Sequence, residues 1–457
     1  MGVLISVFLV NGLIARVMGI DALGEFLLVR RTTFESLGVF LFGLNLGLPY
    51  YISTKEDHTY AVSAILIYVL VTIPLIGLTS TALHLGLLGG FSRTLSLPFF
   101  VFTAGYALQF VAHGLLRGHL NILGANLVQL IGTGIFPIAI LLLSHQRGVP
   151  FLLTSMGLAT IIFSGMVLLL RVEPGAYSNL WQRVLQLLTY GVQRVPGFMA
   201  QFILMAGVPL LILKDAGRSD IAFVNSGISL IRLFLVVAGP LGIVLLPRIS
   251  KSLAAGQKVQ VARGLDILGK TVLLVSVPLA LFLSMHSLTL LSIWLGSGGE
   301  VGTGIVQLIV LALPFYLLTV VYRSPIDAAS ARGYNSIVYG IAAVTLLIAY
   351  YGLKTVGLSS LDAGVFSFIA GHLTAAIVSM YYAHKLYEIN LISPYYLMTL
   401  LGTAGFLSLL FYPVKILVPG FLSFLINGVT LAAVLSVFFL KSRSEWVAGL
   451  RSLVIVR

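Results

Sequence analysis

The chain has 457 residues, 59% of them hydrophobic and only 9% charged, with a mean hydropathy of +1.07. A soluble domain carries about 25% charged residues, so there is too little charge here to cover a water-facing surface, and lipid is the solvent for most of the chain. The net charge of +13 is dispersed singly or in small groups between apolar runs, which excludes a nucleic-acid-binding arm, and the lack of cysteine excludes a disulfide framework and thiolate metal chemistry.

The apolar runs are long enough to cross a bilayer as helices and lack the alternation of barrel strands, which defines an all-α polytopic membrane protein. In chain order, about 14 spans are expected: 1–17, 26–48, 60–83, 97–116, 124–143, 149–170, 188–213, 221–246, 270–291, 304–321, 334–353, 363–384, 394–414 and 418–440. The first lacks a basic leader and a small-residue cleavage site, so it reads as a span rather than a signal peptide. Pro314 and Pro325 interrupt the tenth. Fifteen of the 27 Lys and Arg fall in loops or tail on the side of the N-terminus and seven on the other. The remaining five, Arg30, Arg31, Arg194, Arg232 and Arg323, lie within or at the edges of spans. This bias places both termini in the cytoplasm, as expected for a multi-pass protein of the cytoplasmic (inner) membrane.

The loops are too short to form domains. The segment 171–187 is expected to be a cytoplasmic linker between an N-terminal lobe, 1–170, and a C-terminal lobe, 188–385, with two more helices and a cytoplasmic tail in 386–457. Within the loops, 182–187 and 259–269 read as amphipathic helices on the inner surface. An internal echo supports the division. The second span leaves the membrane as GLPYYISTK (47–55) and the eighth as LPRISKS (246–252), so spans one and two correspond to spans seven and eight. Repeated halves with a substrate site between them are common in secondary transporters.

Charges within apolar spans are the strongest chemical signal, because each costs a few kcal/mol at the bilayer centre unless it meets water or a partner. Arg232 lies about eleven residues into its span, roughly 16 Å deep. Asn225, Ser229 and Arg232 share one helix face at i, i+4, i+7 spacing. Tyr190, Arg194, Gly197 and Gln201 form a stripe on the seventh span, and Arg31, Glu35, Gly38 and Asn45 another on the second, with Arg30 beside it. Together these stripes suggest a water-filled, positively charged cavity with Arg232, Arg194, Arg31, Arg30, Asn225, Ser229 and Gln201 as substrate contacts. Other readings stand beside this one. Arg194, Arg30 and Arg31 are each near enough to a surface to snorkel, and Arg31 is placed to pair with Glu35. Glu35, Arg323 and Asp327 are candidates for coupling or for a structural ion pair. His113, His286 and His372 sit in different spans without ligand spacing, so no metal site is expected. There is no phosphate-binding loop of the GxxxxGK[ST] or GxGxxG kind and no catalytic constellation. Neither an enzyme nor a cofactor is expected.

The stretch LIARVMGIDALGEFLLVRRTTFESLGVFLFGLNLGLPYYIS (13–53), with its ARVMG turn at 15–19, GEF at 24–26 and GL at 47–48, resembles the opening of the polysaccharide transporter (O-antigen flippase) family. That family belongs to the superfamily that also holds multidrug and toxin extrusion proteins and the lipid-linked peptidoglycan precursor flippase. The stretch 190–257 resembles the family's seventh and eighth spans, and 313–333, with its LP and closing ARG, its tenth. The resemblance implies two six-helix lobes around a central cavity, plus two C-terminal helices. It also implies translocation, by alternating access, of a polyprenyl-(pyro)phosphate-linked oligosaccharide from the inner to the outer leaflet for cell-surface polysaccharide assembly. Arg30, Arg31, Arg194 and Arg232 would line that cavity, with Arg16 near its outer mouth. The partners implied are an anionic lipid-linked glycan, membrane lipids and glycan polymerase or ligase machinery. A first span shorter than usual departs from the pattern. The alternatives are a multidrug or cation exporter of the same superfamily, which would place a carboxylate in the first helices, and a membrane assembly protein that transports nothing.

Overall fold

The computed structural model describes residues 2–55, 57, 59–87, 90–172, 179–296, 298–330, 333–389, 393–418 and 420–441. Part of the expected linker, the Arg332 of the ARG motif and the basic tail beyond Lys441 lie outside these. The described chain is all α-helical. Eleven helices are long and apolar enough to span a bilayer, and a bent pair makes a twelfth candidate. The protein is an all-α multi-pass membrane protein.

Residues group into two compact units, 1–225 and 226–457. The first contains α1 (Gly2–Met18), α2 (Ile20–Phe40), α3 (Leu44–Lys55), α4 (Thr59–His84), α5 (Arg93–Gly118), α6 (Ile122–Leu143), α7 (Gly148–Arg171), α8 (Leu180–Val192) and α9 (Val195–Ile212). The unit boundary falls inside α10 (Arg218–Leu233).

The expected second span is the pair α2 and α3, bent by 49°. The bend follows from two successive left-handed residues, Phe42 (φ 46°) and Gly43 (φ 70°). A left-handed glycine closing a helix is common, whereas a bulky residue there is strained. Gly43 N–H donates back to Gly38 O at 3.1 Å, and Thr72 Oγ donates to Phe40 O at 2.9 Å, so carbonyls freed by the bend keep partners. Thr72 ends a wide, π-type turn in α4 (Tyr68–Thr72), and α6 has another at Ile131–Ile135. Tyr106 OH donates to Gly132 O at 2.7 Å inside the second of these. In hydrocarbon an unmade backbone hydrogen bond costs several kcal/mol, so the bend of α2 and the wide turn of α6 are each met by a hydroxyl donor.

Two close approaches hold the bent span in place. A Cβ on Gly24 would sit 2.0 Å from the Arg218 carbonyl oxygen, and one on Gly191 would sit 1.5 Å from the Phe42 carbonyl oxygen. These glycines let backbone meet backbone, as small residues do in membrane helix packing.

The second unit holds the end of α10, then α11 (Leu235–Ala254), α12 (Lys258–Met285), α13 (Ser287–Leu295), α14 (Thr303–Ala329), α15 (Tyr334–Thr355), α16 (Ser360–Tyr387), α17 (Pro394–Leu417) and α18 (Gly420–Lys441). The expected eighth span is thus two helices interrupted at Phe234. The expected surface helix 259–269 is the first part of the 28-residue α12, because no breaking residue separates it from the apolar run. Ile249, Leu265, Tyr322, Ile326, Ala383 and Tyr387 form the core of α11, α12, α14 and α16. Tyr387 OH donates to Pro325 O at 2.7 Å, and Tyr322 OH to Leu265 O at 3.2 Å. Only 11% and 17% of the apolar windows of α17 and α18 are buried, which leaves those two helices mostly facing outward into lipid. Asn427 on α18 ties them inward, donating to Phe411 O at 3.1 Å and lying 3.0 Å from His286 Nε2.

Gly24→Ala should therefore lower the midpoint of thermal unfolding in detergent by several degrees, since overpacking costs about 1–3 kcal/mol. Gly340→Ala, where a Cβ meets nothing within 4 Å, should not lower it.

Candidate functional site

The site is built from α2 and the start of α10, which run parallel. Glu25 Oε1 lies 2.7 Å from Arg218 Nη1 at their N-terminal ends. At the same level Gly24 meets the Arg218 carbonyl and Ala222 N. Deeper, Arg31 Nε donates to Asn225 Oδ1, and Arg31 Nη2 donates to the Asn225 carbonyl at 3.0 Å. Arg31 is 8% exposed and Asn225 fully buried. Asn225 is held in turn, its Nδ2 donating to Ile221 O at 2.9 Å. An intramembrane guanidinium therefore sits with one edge against two neutral oxygens of a single residue 194 positions away.

Arg30 points away from this pair. Its Nη1 donates to Asn11 Oδ1 on α1 at 3.0 Å, and its guanidinium lies 5.9 Å from the centre of the Phe26 ring and 5.6 Å from that of Phe34. Cation–π contact of this kind stabilises a desolvated arginine. Glu35 is half-buried one turn beyond Arg31, and Gln201 is half-buried on α9. Ser229 and Arg232 continue the face of Asn225 along α10 and are both half-buried, in the second unit.

Arg194 is not gathered with Arg31. It precedes the first turn of α9, folds over the Tyr190 ring at 3.7 Å and donates to Tyr190 O at 2.7 Å. There it joins a cluster absent from the sequence expectation. Tyr190 stacks on Tyr50 at 5.6 Å, and Tyr51 stacks on Tyr60 at 4.8 Å. Arg183 on α8 meets Asp57 at 2.9 Å and lies over Tyr60 at 5.2 Å, while Tyr60 OH donates to Gln186. The expected amphipathic segment 182–187 is thus part of a 13-residue helix. Arg183, Val184, Gln186, Leu187 and Tyr190 face the bundle, and Trp181, Leu185 and Val192 are exposed. Burial works to raise the Asp57 carboxyl, but hydrogen bonds from Thr59 and the Arg183 guanidinium outweigh it and hold the group below the usual carboxylate range.

Arg323 and Asp327 are exposed on α14. Arg323 lies 5.9 Å from the centre of the Tyr339 ring, and Asp327 accepts from Asn335 Nδ2 at 2.7 Å. His372 is enclosed by Phe368 and Tyr316, and His286 by Phe282 and Phe424. Within the first unit, a cavity of about 510 Å³ is lined by Thr32, Ser36, Phe40, Phe99, Phe202 and Leu213 among others. Ser36 Oγ spends its donor on backbone carbonyls of its own helix, which leaves that cavity an apolar lining.

Sequence reasoning placed Arg31, Asn225 and Arg232 on polar faces but missed Glu25, Arg218, Asn11 and the tyrosine cluster. Glu25 and Arg218 are ordinary charges next to expected loops, and nothing local in the sequence joins them.

No family model matches the chain, and no curated protein matches it in sequence. Its fold is shared with solved structures of membrane transporters. The lipid II flippase MurJ, in an inward closed conformation, superposes with a TM-score of 0.73 at 15% identity, over 96% of this chain and 97% of that one. An inward-facing multidrug resistance MATE family transporter of the MOP superfamily gives 0.61 at 14% identity, over 84% and 93%. A eukaryotic MATE transporter gives 0.50 at 15% identity, over 85% and 97%. The chain therefore has the MurJ- and MATE-like fold.

Arg183→Ala and Asp57→Asn should each speed tryptic cleavage at Arg171, and the double variant should be no faster than either single one. Because the Asp57 pKa is depressed, the attachment should persist through neutral pH and be lost only on acidification below the usual carboxylate range. Cleavage rates at neutral pH check the first outcome, and amide hydrogen exchange of α8, corrected for the intrinsic rate at each pH, checks the second.

Proposed function

We propose that the protein is an alternating-access flippase. In this reading it moves a polyprenyl-(pyro)phosphate-linked oligosaccharide from the inner to the outer leaflet of the cytoplasmic membrane for surface glycan assembly. The observation that carries the reading is the charge balance within the apolar elements of the site. Arg30 and Arg31 lie inside α2, Arg232 inside α10 and Arg194 at the start of α9, whereas Glu35 is the carboxylate found beyond the first two turns of these described helices. A surplus of cations over carboxylates in apolar spans suits an anionic ligand. Arginine suits phosphate in particular, because its planar fork donates paired hydrogen bonds and keeps its charge at any working pH.

The physics of the cargo matches the parts. A pyrophosphate-sugar head needs a polar, positive path, whereas its polyprenyl tail remains soluble in lipid. In the proposal Arg31 and Arg232 contact headgroup phosphate, with Asn225, Ser229 and Gln201 on the sugar or phosphate oxygens. Arg30 supports the field from its seat on Asn11, and Arg194 acts at the cytoplasmic mouth. The translocated glycan would pass to polymerase or ligase enzymes. The superfamily's exporter members share the fold, but α1 (GVLISVFLVNGLIARVM) contains no carboxylate, and in α2 Glu35 lies beside two arginines, Arg30 and Arg31.

The test is translocation in proteoliposomes of a fluorescent polyprenyl-pyrophosphate saccharide, read by quenching from one side. Arg232→Ala should insert at normal levels and lose at least tenfold in rate. Arg232→Lys should regain part of it if charge suffices and little if paired hydrogen bonds are needed. Normal translocation by a well-inserted Arg232→Ala would overturn the assignment.

A further inference from the structure

We infer that Asn225 is an internal stand-in for the substrate's phosphate, and that phosphate displaces it from Arg31 and thereby unlatches α2 from α10. The inference rests on the flippase reading and adds to it how arrival of the headgroup is sensed.

The geometry is specific. Arg31 presents its Nε and Nη2 edge, the edge that matches two oxygens of a phosphoryl group, and both donors are directed to Asn225, one to Oδ1 and one to the main-chain oxygen. Asn225 is not a loose side chain that drifted there. Its amide is anchored by Nδ2 to Ile221 O, which aims Oδ1 outward from α10. The two oxygens are neutral, whereas phosphoryl oxygens are anionic and make charge-assisted hydrogen bonds roughly twice as strong. A headgroup reaching Arg31 therefore has the better acceptor for the same edge.

Losing the Asn225 contact weakens what joins the two helices. Among the described contacts, those at their N-terminal ends are the Glu25–Arg218 pair, whose arginine is 60% and glutamate 16% exposed, and the fit of Gly24 on the Arg218 carbonyl. A pair whose arginine is this open to water is screened by solvent and contributes modestly. In this structure α2 and α10 are thus kept together through an arginine bound to its own chain, and the ligand competes for that arginine. A ligand shifts a conformational equilibrium only through a difference in affinity between the states, and here the difference is whether Arg31 is available.

Because the chain has no cysteine, one introduced cysteine reports without background. Ala222, fully buried against Gly24, is the reporter position. Ala222→Cys in proteoliposomes should react with a small maleimide at least threefold faster when polyprenyl pyrophosphate or its saccharide is added, and not with neutral polyprenol. Adding Asn225→Leu should give the fast rate without any lipid. Adding Asn225→Asp, which keeps the partner and gives it a charge, should slow labelling and raise severalfold the polyprenyl pyrophosphate needed for half the response. A role in folding alone would not move the two variants in opposite directions. If the parent responds and the Asn225 variants behave like it, this inference is wrong and the flippase reading stands. A response to polyprenyl pyrophosphate but not to its saccharide overturns the flippase reading and keeps the latch. No response to either anion overturns the latch.

Discussion

A guanidinium in an apolar bundle has to be given acceptors, and the rest of the site is arranged around how Arg31 gets them. Arg31 could not be 8% exposed among hydrocarbon without the two oxygens of Asn225. For Asn225 to be within reach, α10 must lie parallel to α2 and very near it, which Gly24 permits by carrying no Cβ where the Arg218 carbonyl passes. The Glu25–Arg218 pair then falls into place at the end of the same interface. One polar requirement sets the register of two helices.

The same requirement recurs wherever the helices are irregular. The bend at Phe42 and Gly43 frees the Phe40 carbonyl, and Thr72 supplies the donor. The wide turn of α6 offers the Gly132 carbonyl to Tyr106. Irregular backbone in these positions gives the helices places to bend, and the hydroxyls make it tolerable in a solvent that provides no hydrogen bonds.

Much of the architecture was legible from hydropathy alone, for a simple reason. Transfer of apolar residues into lipid is nearly a local property, so a window of about 20 residues reveals a span whatever it packs against. Each of the 14 expected runs has a helical counterpart: eleven as single candidate spans, the second as the bent pair, the first as the short apolar α1, and the eighth as α10 with α11. Ends and breaks were less legible. The second run seemed to begin at 26 because Asp21 and Glu25 interrupt the hydropathy, yet both residues are helical. The interruption at Phe234 has no breaking residue to announce it.

The sequence by itself determined the solvent of this protein, the number of apolar runs and which helix faces carry charge, since each follows from composition and from the 3.6-residue period. Even the seat of Arg194 on Tyr190 is local, one helical turn back. The tertiary structure decided which charges meet. Arg31 and Asn225, Glu25 and Arg218, and Arg183 and Asp57 each join residues far apart in the chain. Hydrogen bonds and ion pairs act over a few ångströms in space, so whether two such groups form a site depends on the packing of the helices between them, which no periodicity records.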